Sequence, residues 1–257
     1  LTSNKQVWPA SITREAYLSF EDALWDLIPR LGYKKGSKFL VPSFCCVDVI
    51  NNIRNHGYEV AEYEVSKYLH VEPSVFEKSI QKESPDIFVN FDPVGVPSNI
   101  TEKMLRKLPF RTLVIQDRVH TVVGSSIEHY PESDKQLILT SYRKVTPFPG
   151  SVAIYTRNAR KSQNKFPLSY TFKSLVLWKV YVLLLKIASS FRILTVAKIA
   201  KKVLKTHNDL IGDAVTSGPL PSFLLNLYNH IAVDRIKDVK IKQYSLYRAE
   251  LDQLLET

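Results

Sequence analysis

Short apolar runs recur between Lys38 and Thr156, and residues that favour turns separate them. Four of the runs are apolar almost throughout, which is typical of strands buried on both faces of a sheet. The pattern therefore predicts strands over residues 38–44, 58–65, 86–91, 111–117, 136–142 and 151–156.

Helical stretches lie between several of these runs. Residues 46–57 end in a glycine, a common helix stop, and residues 73–83 begin at Pro73, which favours a helix start. Residues 98–108 open with a pattern like the Ser-x-x-Glu capping box at Ser98. Strands that alternate with helices predict an α/β fold, with a three-layer, mostly parallel sheet flanked by helices.

Polar and aromatic residues follow the apolar runs directly. In open sheets of this kind, ligands bind outside the carboxyl ends of the strands. The sequence therefore predicts a site where these ends converge, formed by Ser43-Phe44, Asn90-Phe91-Asp92, Asp117 and Ser141-Tyr142-Arg143-Lys144.

The chain changes character after residue 156. Residues 157–216 are basic and helical in pattern, and residues 217–257 begin at a break and continue as a long helix, so three segments are predicted, with 1–156 as the α/β domain. Lys179 and Lys186 are seven residues apart in an apolar run and share one helical face. The stretch 174–205 indicates amphipathic helices that either dock on the domain or contact a membrane interface.

The net charge of +10 over 257 residues is unevenly distributed. Residues 1–150 carry 18 basic and 18 acidic residues, whereas residues 151–257 carry 17 and 7, and 17 − 7 gives the whole excess. Such a segment could face an anionic membrane, nucleic acid or a phosphorylated substrate, or be an ordinary solvated helix surface. No nucleic-acid-binding motif accompanies the charge, so nucleic acid is not the expected partner.

The two cysteines, Cys45 and Cys46, are neighbours, which excludes a disulfide framework within the chain. The lack of a disulfide framework favours a reducing, cytoplasmic compartment. The basic helices suggest that the protein could also associate peripherally with a membrane.

Lys144 comes just after the strand predicted over residues 136–142, and its amine could form a Schiff base with an aldehyde. Pyridoxal phosphate also needs a carboxylate on its ring nitrogen, and Asp117 ends the preceding apolar run, 27 residues upstream. Parallel pairing of the two runs would bring both ends to one sheet edge. Ser141 adds a hydroxyl for a phosphate oxygen.

Two stretches around these residues, VIQDRVHTVVG (114–124) and LTSYRKVTPFPGSVAIYT (139–156), resemble the DegT/DnrJ/StrS family of sugar aminotransferases, in the aspartate-aminotransferase superfamily. Upstream, residues 17–46 and 89–99 resemble further stretches of that family in the same order. The resemblance covers about residues 15–156 and implies the large domain of a pyridoxal-phosphate-dependent transferase. The resemblance also implies that residues 217–257 form the helix that leads into the family's small C-terminal domain, and that most of that domain is missing.

The resemblance implies pyridoxal 5'-phosphate as cofactor and Lys144 as the catalytic Schiff-base lysine. It implies cofactor binding by Asp117, His120, Ser141, Ser19, Phe20 and Phe44. It further implies a homodimer that transfers an amino group from an amino-acid donor to a keto-sugar acceptor.

The segment that resembles the phosphate loop departs from the family pattern, because it reads Ser19-Phe20-Glu21-Asp22. Ser19 can cap a helix whose N-terminus favours a phosphate, but Glu21 and Asp22 would repel one. Arg118 and Arg143 are candidates to restore the positive charge. The alternative is a degenerate, non-catalytic relative that acts as a binding or membrane-associated partner. A third interpretation is a plain α/β domain in which Lys144 and Asp117 form a salt bridge.

Overall fold

The computed structural model describes residues 11–92, 97–120, 135–142, 150–156, 159–162, 168–212 and 218–223, and then residues 225, 236, 238–239 and 241–247. Its centre is one sheet formed by β1 (Ile12–Tyr17), β2 (Lys38–Pro42), β3 (Glu59–Tyr63), β4 (Ile87–Phe91), β5 (Leu113–Arg118), β6 (Gln136–Ser141) and β7 (Ser151–Thr156).

The strand order in the sheet is β1-β7-β6-β5-β4-β2-β3. The strands from β6 to β3 pair in parallel, and β7 is antiparallel to both of its neighbours. The predicted α/β class with a mostly parallel sheet is therefore confirmed. Strand β1 is an addition to the predicted set, because residues 12–17 do not form an apolar run.

Helices cover both faces of the sheet, as predicted for a three-layer fold. They are α1 (Phe20–Arg30), α2 (Val47–Asn55), α3 (Pro73–Glu83) and α4 (Glu102–Leu105), followed by α5 (Leu168–Phe191) and α6 (Leu194–Gly212). Alternate strand residues such as Val41 and Ile115 pack in one core with α1 and α2, whereas Leu40 and Val114 pack in another with α3 and α4. We name these sides of the sheet the α1–α2 face and the α3–α4 face.

The predicted helix over residues 98–108 is reduced to the single turn of α4. Its start at Ser98 is wrong, because the Ser98 hydroxyl donates to Asn90 Oδ1 at 2.7 Å instead of capping a helix. Thr101 caps the turn, with its Oγ1 accepting from the backbone N–H of Met104.

A buried cluster of polar side chains ties β1 and β7 to α1. Arg30 donates to Glu15 at 2.7 Å and to the Tyr155 hydroxyl at 2.9 Å, and it also pairs with Asp26. Burial alone would raise the pKa of Glu15, but the hydrogen bonds from Arg30, Tyr155 and Tyr17 lower it. The cluster therefore holds the edge of the sheet through charges that satisfy one another.

The last two long helices, α5 and α6, form an antiparallel hairpin. Arg192 adopts the left-handed conformation between them (φ 55°), and the N–H of Ile193 closes the end of α5 on Ala188 O at 3.1 Å. In the seam between the helices, Ser174 Oγ lies 3.0 Å from His207 Nε2, and both residues are fully buried. Leu175 connects the hairpin to the sheet by packing on the core that contains Ala16 and Val152.

Candidate functional site

The sheet changes direction of winding at β2. The chain passes from β2 outward to the edge strand β3 and then returns past β2 to β4. In open α/β sheets such a switch point leaves a crevice outside the carboxyl ends of the strands, where ligands bind. A cavity of about 560 Å³ lies there on the α1–α2 face, within the size range of small-molecule sites.

Five of the seven residues that the sequence assigned to the site line this cavity. They come from separate parts of the chain, namely the start of α1, the loop after β2, the end of β5 and the end of β6. The five are Phe20, Phe44, Asp117, His120 and Ser141.

Asp117 occupies the part of the cavity formed by the end of β5. Its Oδ1 accepts from the backbone N–H of Val119 at 3.1 Å, which orients the carboxylate. Its main-chain carbonyl accepts from Asp92 N at 3.0 Å, so the strand end is held from both sides. A carboxylate fixed in this way is suited to accept a hydrogen bond from a ring N–H.

Aromatic rings flank Asp117. Phe91 lies beside Asp117 in the register of β4 and β5, and its ring centroid is 5.3 Å from that of Phe44. The His120 ring meets Phe91 edge-on at 5.9 Å. Phe44 is 38% exposed, so its ring is partly accessible to a planar ligand.

The N-terminal turn of α1 forms another wall of the cavity through Phe20 and Glu21. Ser19 caps this helix, because its Oγ accepts from the backbone N–H of Asp22 at 3.0 Å. A capped helix N-terminus beside a cavity can bind an anion through its free N–H groups. Ser19 itself is not among the residues that line the cavity.

The burial of Asp22 departs from the expectation that its charge would repel a phosphate. The residue is 1% exposed, so its carboxyl group is removed from water. Burial raises the pKa of Asp22 to about 8, against the lowering effect of Ser19. The side chain is therefore mostly neutral at neutral pH, and Glu21 carries the remaining acidic charge at this helix start.

Arg118 does not serve the cavity, contrary to the expectation that it would restore positive charge there. Successive strand residues point to opposite faces, and Arg118 follows Asp117 in β5. Its Nε lies 3.3 Å from Asp92 Oδ2, and neither residue lines the cavity. Lys144 and Arg143 lie outside the described residues, so their predicted roles stay predictions.

Cys45 and Cys46 also line the cavity. Cys46 is exposed, whereas burial, and then the nearby carboxylate of Asp117, raises the pKa of Cys45 to about 12. Cys45 is therefore a protonated thiol at neutral pH.

Phe91 was predicted at this sheet edge, within the strand end Asn90-Phe91-Asp92, but sequence reasoning did not assign it to the cofactor. An aromatic residue that closes an apolar run resembles a core residue. Its position opposite Asp117 distinguishes Phe91 from a core residue. That position can be predicted only if β4 and β5 are known to be neighbours.

No protein-family model matches the chain, and no curated protein matches it in sequence. Among solved structures, the chain is similar to a histidinol-phosphate aminotransferase from Sinorhizobium meliloti in complex with pyridoxal-5'-phosphate, at 14% identity and a TM-score of 0.45, covering 57% of this chain and 42% of that one. A multiple substrate aminotransferase from Thermococcus profundus gives 15% identity, a TM-score of 0.44, and coverage of 58% and 41%.

A protein from Streptococcus pneumoniae described as a sugar aminotransferase, in its pyridoxal-phosphate form, gives 15% identity, a TM-score of 0.44, and coverage of 56% and 41%. The chain spans less than half the length of each of these three proteins. Likeness at this level assigns neither family nor function, and the fold rests on the strand order and directions described above.

Proposed function

We propose that the chain binds pyridoxal 5'-phosphate in the cavity at the carboxyl ends of the strands and acts as an aminotransferase. One observation carries the proposal: Asp117, His120, Ser141, Phe44 and Phe20, assigned from sequence, line the same cavity. The resemblance of residues 15–156 to sugar aminotransferases extends the proposal to an amino-acid donor and a keto-sugar acceptor.

The residues around the cavity fit the cofactor chemically. Asp117 offers an oriented carboxylate for a ring nitrogen, and Phe44 offers an exposed aromatic face. The Ser141 hydroxyl and the N-terminus of α1 suit a phosphate. The neutral state of Asp22 removes one of the two acidic charges that argued against this fit.

When bound, the cofactor supplies an electron sink for cleavage of a bond at the donor's amine-bearing carbon. Asp117 would hold a proton on the ring nitrogen, because its carboxylate stabilises the protonated form. Lys144 Nζ would hold the cofactor through its aldehyde carbon and would serve as the base and acid for a proton at the donor carbon. The aromatic rings of Phe44 and Phe91 would orient the planar ring and exclude water from one side of it.

The second candidate function is a non-catalytic relative, and Glu21 is the observation that favours it. Its acidic side chain lines the cavity at the helix N-terminus where a phosphate would bind. In that case the cavity would be retained as part of the fold while cofactor affinity is lost.

An absorbance titration separates the two candidates. Purified protein mixed with pyridoxal phosphate should develop a new absorbance band, which addition of an amino donor should bleach. Lys144→Ala should abolish the band. The matched control is Lys135→Ala, because Lys135 precedes β6 at the opposite end of the strand from Ser141.

The absence of a band in the folded wild-type protein at saturating cofactor would reject cofactor binding. A band that no amino donor bleaches would leave a cofactor-binding protein without transaminase activity. Bleaching by a donor, followed by recovery with keto sugars and not with simple keto acids other than the one that the donor itself yields, would support the proposed acceptor.

A further inference from the structure

The hairpin of α5 and α6 carries an uncovered apolar surface. Within the described residues, the segment Phe172–Phe191 is long and apolar enough to cross a membrane, with a mean hydropathy of 1.6, yet only 17% of it is buried. A helix of this composition in a soluble core would be mostly buried. Most residues of this segment are instead exposed or only half-buried.

Four exposed apolar residues of α5 form one stripe, because they recur at intervals of three and four. They are Phe172, Val176, Val180 and Leu183, whereas the exposed Leu185 lies apart from this stripe. Lys179 and Lys186 lie at one margin of this stripe by the same helical spacing, and both are exposed. Lysines so placed can rest their alkyl stems on an apolar phase while the ammonium groups reach its polar boundary.

The turn of the hairpin is also apolar. Phe191 is 71% exposed, Leu194 is 78% exposed, and the intervening Arg192 and Ile193 are exposed as well. These side chains project from the end of the hairpin where α5 stops and α6 starts. Large exposed apolar side chains clustered with cations are typical of a segment that enters a lipid interface.

The charge of the hairpin is almost entirely positive. Residues 168–212 contain eight Lys and Arg residues and one acidic residue, Asp209. On α6, one helical stripe consists of Lys198, Lys201, Lys202 and Lys205, all exposed. Docking of a second copy of this chain through the same hairpin would bring the two sets of like charge together, which opposes such a dimer.

We infer that the hairpin of α5 and α6 is a binding surface for a bilayer that contains anionic lipids. The apolar stripe and the turn at Phe191–Leu194 enter the interface, and the lysines lie among lipid phosphates. The hairpin lies in the interface and does not span the bilayer. If α5 crossed the bilayer, Lys179 and Lys186 would lie in the hydrocarbon. The four lysines of the α6 stripe would oppose the entry of α6 for the same reason.

Vesicle co-sedimentation of the full chain tests the inference. The protein should sediment with mixed phosphatidylcholine–phosphatidylglycerol vesicles and not with phosphatidylcholine alone. Salt at about 1 M, where the Debye length is about 3 Å, should weaken the binding to the anionic vesicles. These arms require no bound cofactor, so their outcome is independent of the proposed enzyme function.

Two variants test the charged and apolar parts separately. Replacing the four lysines of the α6 stripe by glutamine should weaken vesicle affinity by at least about tenfold. Its matched control replaces four exposed lysines on the α/β domain, Lys34, Lys67, Lys78 and Lys103, by glutamine. Phe191→Ser with Leu194→Ser should likewise weaken binding, whereas Tyr68→Ser with Phe110→Ser, at least as exposed and on the α/β domain, should not.

Circular dichroism establishes that each variant is folded before binding is compared. Failure of the folded wild-type protein to bind anionic vesicles would overturn the inference, as would equal losses in the hairpin variants and their controls. A dimer in sedimentation velocity that Phe191→Ser with Leu194→Ser dissociates, without vesicle binding, would assign the surface to a second copy and reject the bilayer.

Discussion

Phe91 and Asp117 lie side by side at the ends of β4 and β5, and both line the cavity on the α1–α2 face. Arg118, the next residue along β5, is paired with Asp92 and does not line it. The alternation of side chains along β5 therefore places the carboxylate of Asp117 at the cavity and the guanidinium of Arg118 away from it. This relationship provides a matched pair of variants for the site.

Asp117→Asn should weaken pyridoxal-phosphate binding by about tenfold or more, because the amide cannot hold a proton on the ring nitrogen as a carboxylate does. Arg118→Gln removes a charge from the adjacent position and should change the affinity by less than about twofold, although it breaks a partly buried ion pair. Fluorescence titration of each variant with pyridoxal phosphate measures the two dissociation constants. Equal effects would contradict the placement of Asp117 in the cofactor site.

Asp22→Asn should stabilise the protein increasingly as the pH rises. The folded-state pKa of Asp22 is about 8, above the value near 3.9 expected in the unfolded chain. The folded state therefore holds a proton that the unfolded state releases, and this contribution to stability is lost as the pH rises through 8. Asparagine carries no such dependence.

Urea unfolding of the wild type and Asp22→Asn across this range measures the effect. The difference in the free energy of unfolding should grow by about 1.4 kcal/mol per pH unit between roughly pH 5 and 8, and then level off. A difference that is independent of pH would show that Asp22 is ionised in the folded protein.

Arg30→Met should lower the free energy of unfolding by roughly 3 kcal/mol, because it leaves the buried carboxylate of Asp26 and the partly buried carboxylate of Glu15 without their cation. The control is Arg106→Met, which breaks an exposed pair with Glu102 and should cost about 0–1 kcal/mol. Chemical denaturation compares the two variants. A similar small loss in both would mean that the Arg30 cluster is not a stabilising element.

The two thiols should differ strongly in reactivity. Cys46 is exposed and should react first with a thiol reagent, whereas burial and Asp117 keep Cys45 protonated, which should slow it by at least about a hundredfold near pH 8. Cys46→Ser should remove the fast phase and Cys45→Ser should retain it. In the Cys46→Ser protein, adding Asp117→Asn should accelerate the slow reaction of Cys45. An unchanged rate would show that the carboxylate of Asp117 does not influence the Cys45 thiol.

Much of the sheet could be predicted from the sequence, because strands covered on both faces are apolar nearly throughout. Strand β1 escaped this pattern because three of its six residues, Thr13, Arg14 and Glu15, are polar. Glu15 is acceptable inside the fold because Arg30 of α1, Tyr17 and Tyr155 donate hydrogen bonds to it. That compensation comes mostly from other elements and leaves no local signal in the sequence of β1.

The site was predictable to the extent that strand ends define it. Asp117 and Ser141 follow apolar runs, so a parallel sheet brings them to one edge without further information. Phe91 and the protonated state of Asp22 depend on which elements pack together, because a ring neighbour and a burial-shifted pKa are properties of tertiary contacts. Sequence pattern alone therefore identified the location of the site better than its electrostatics.

The central claim is that Lys144 and the cavity beside Asp117 form one pyridoxal-phosphate site. Borohydride reduction of the protein mixed with cofactor, followed by digestion and peptide mass spectrometry, locates the lysine that the cofactor modifies. The account predicts a single pyridoxyl label on Lys144, and a reduced yield of it in Asp117→Asn. Labelling spread over exposed lysines such as Lys34 and Lys67, with Lys144 unmodified, would contradict it.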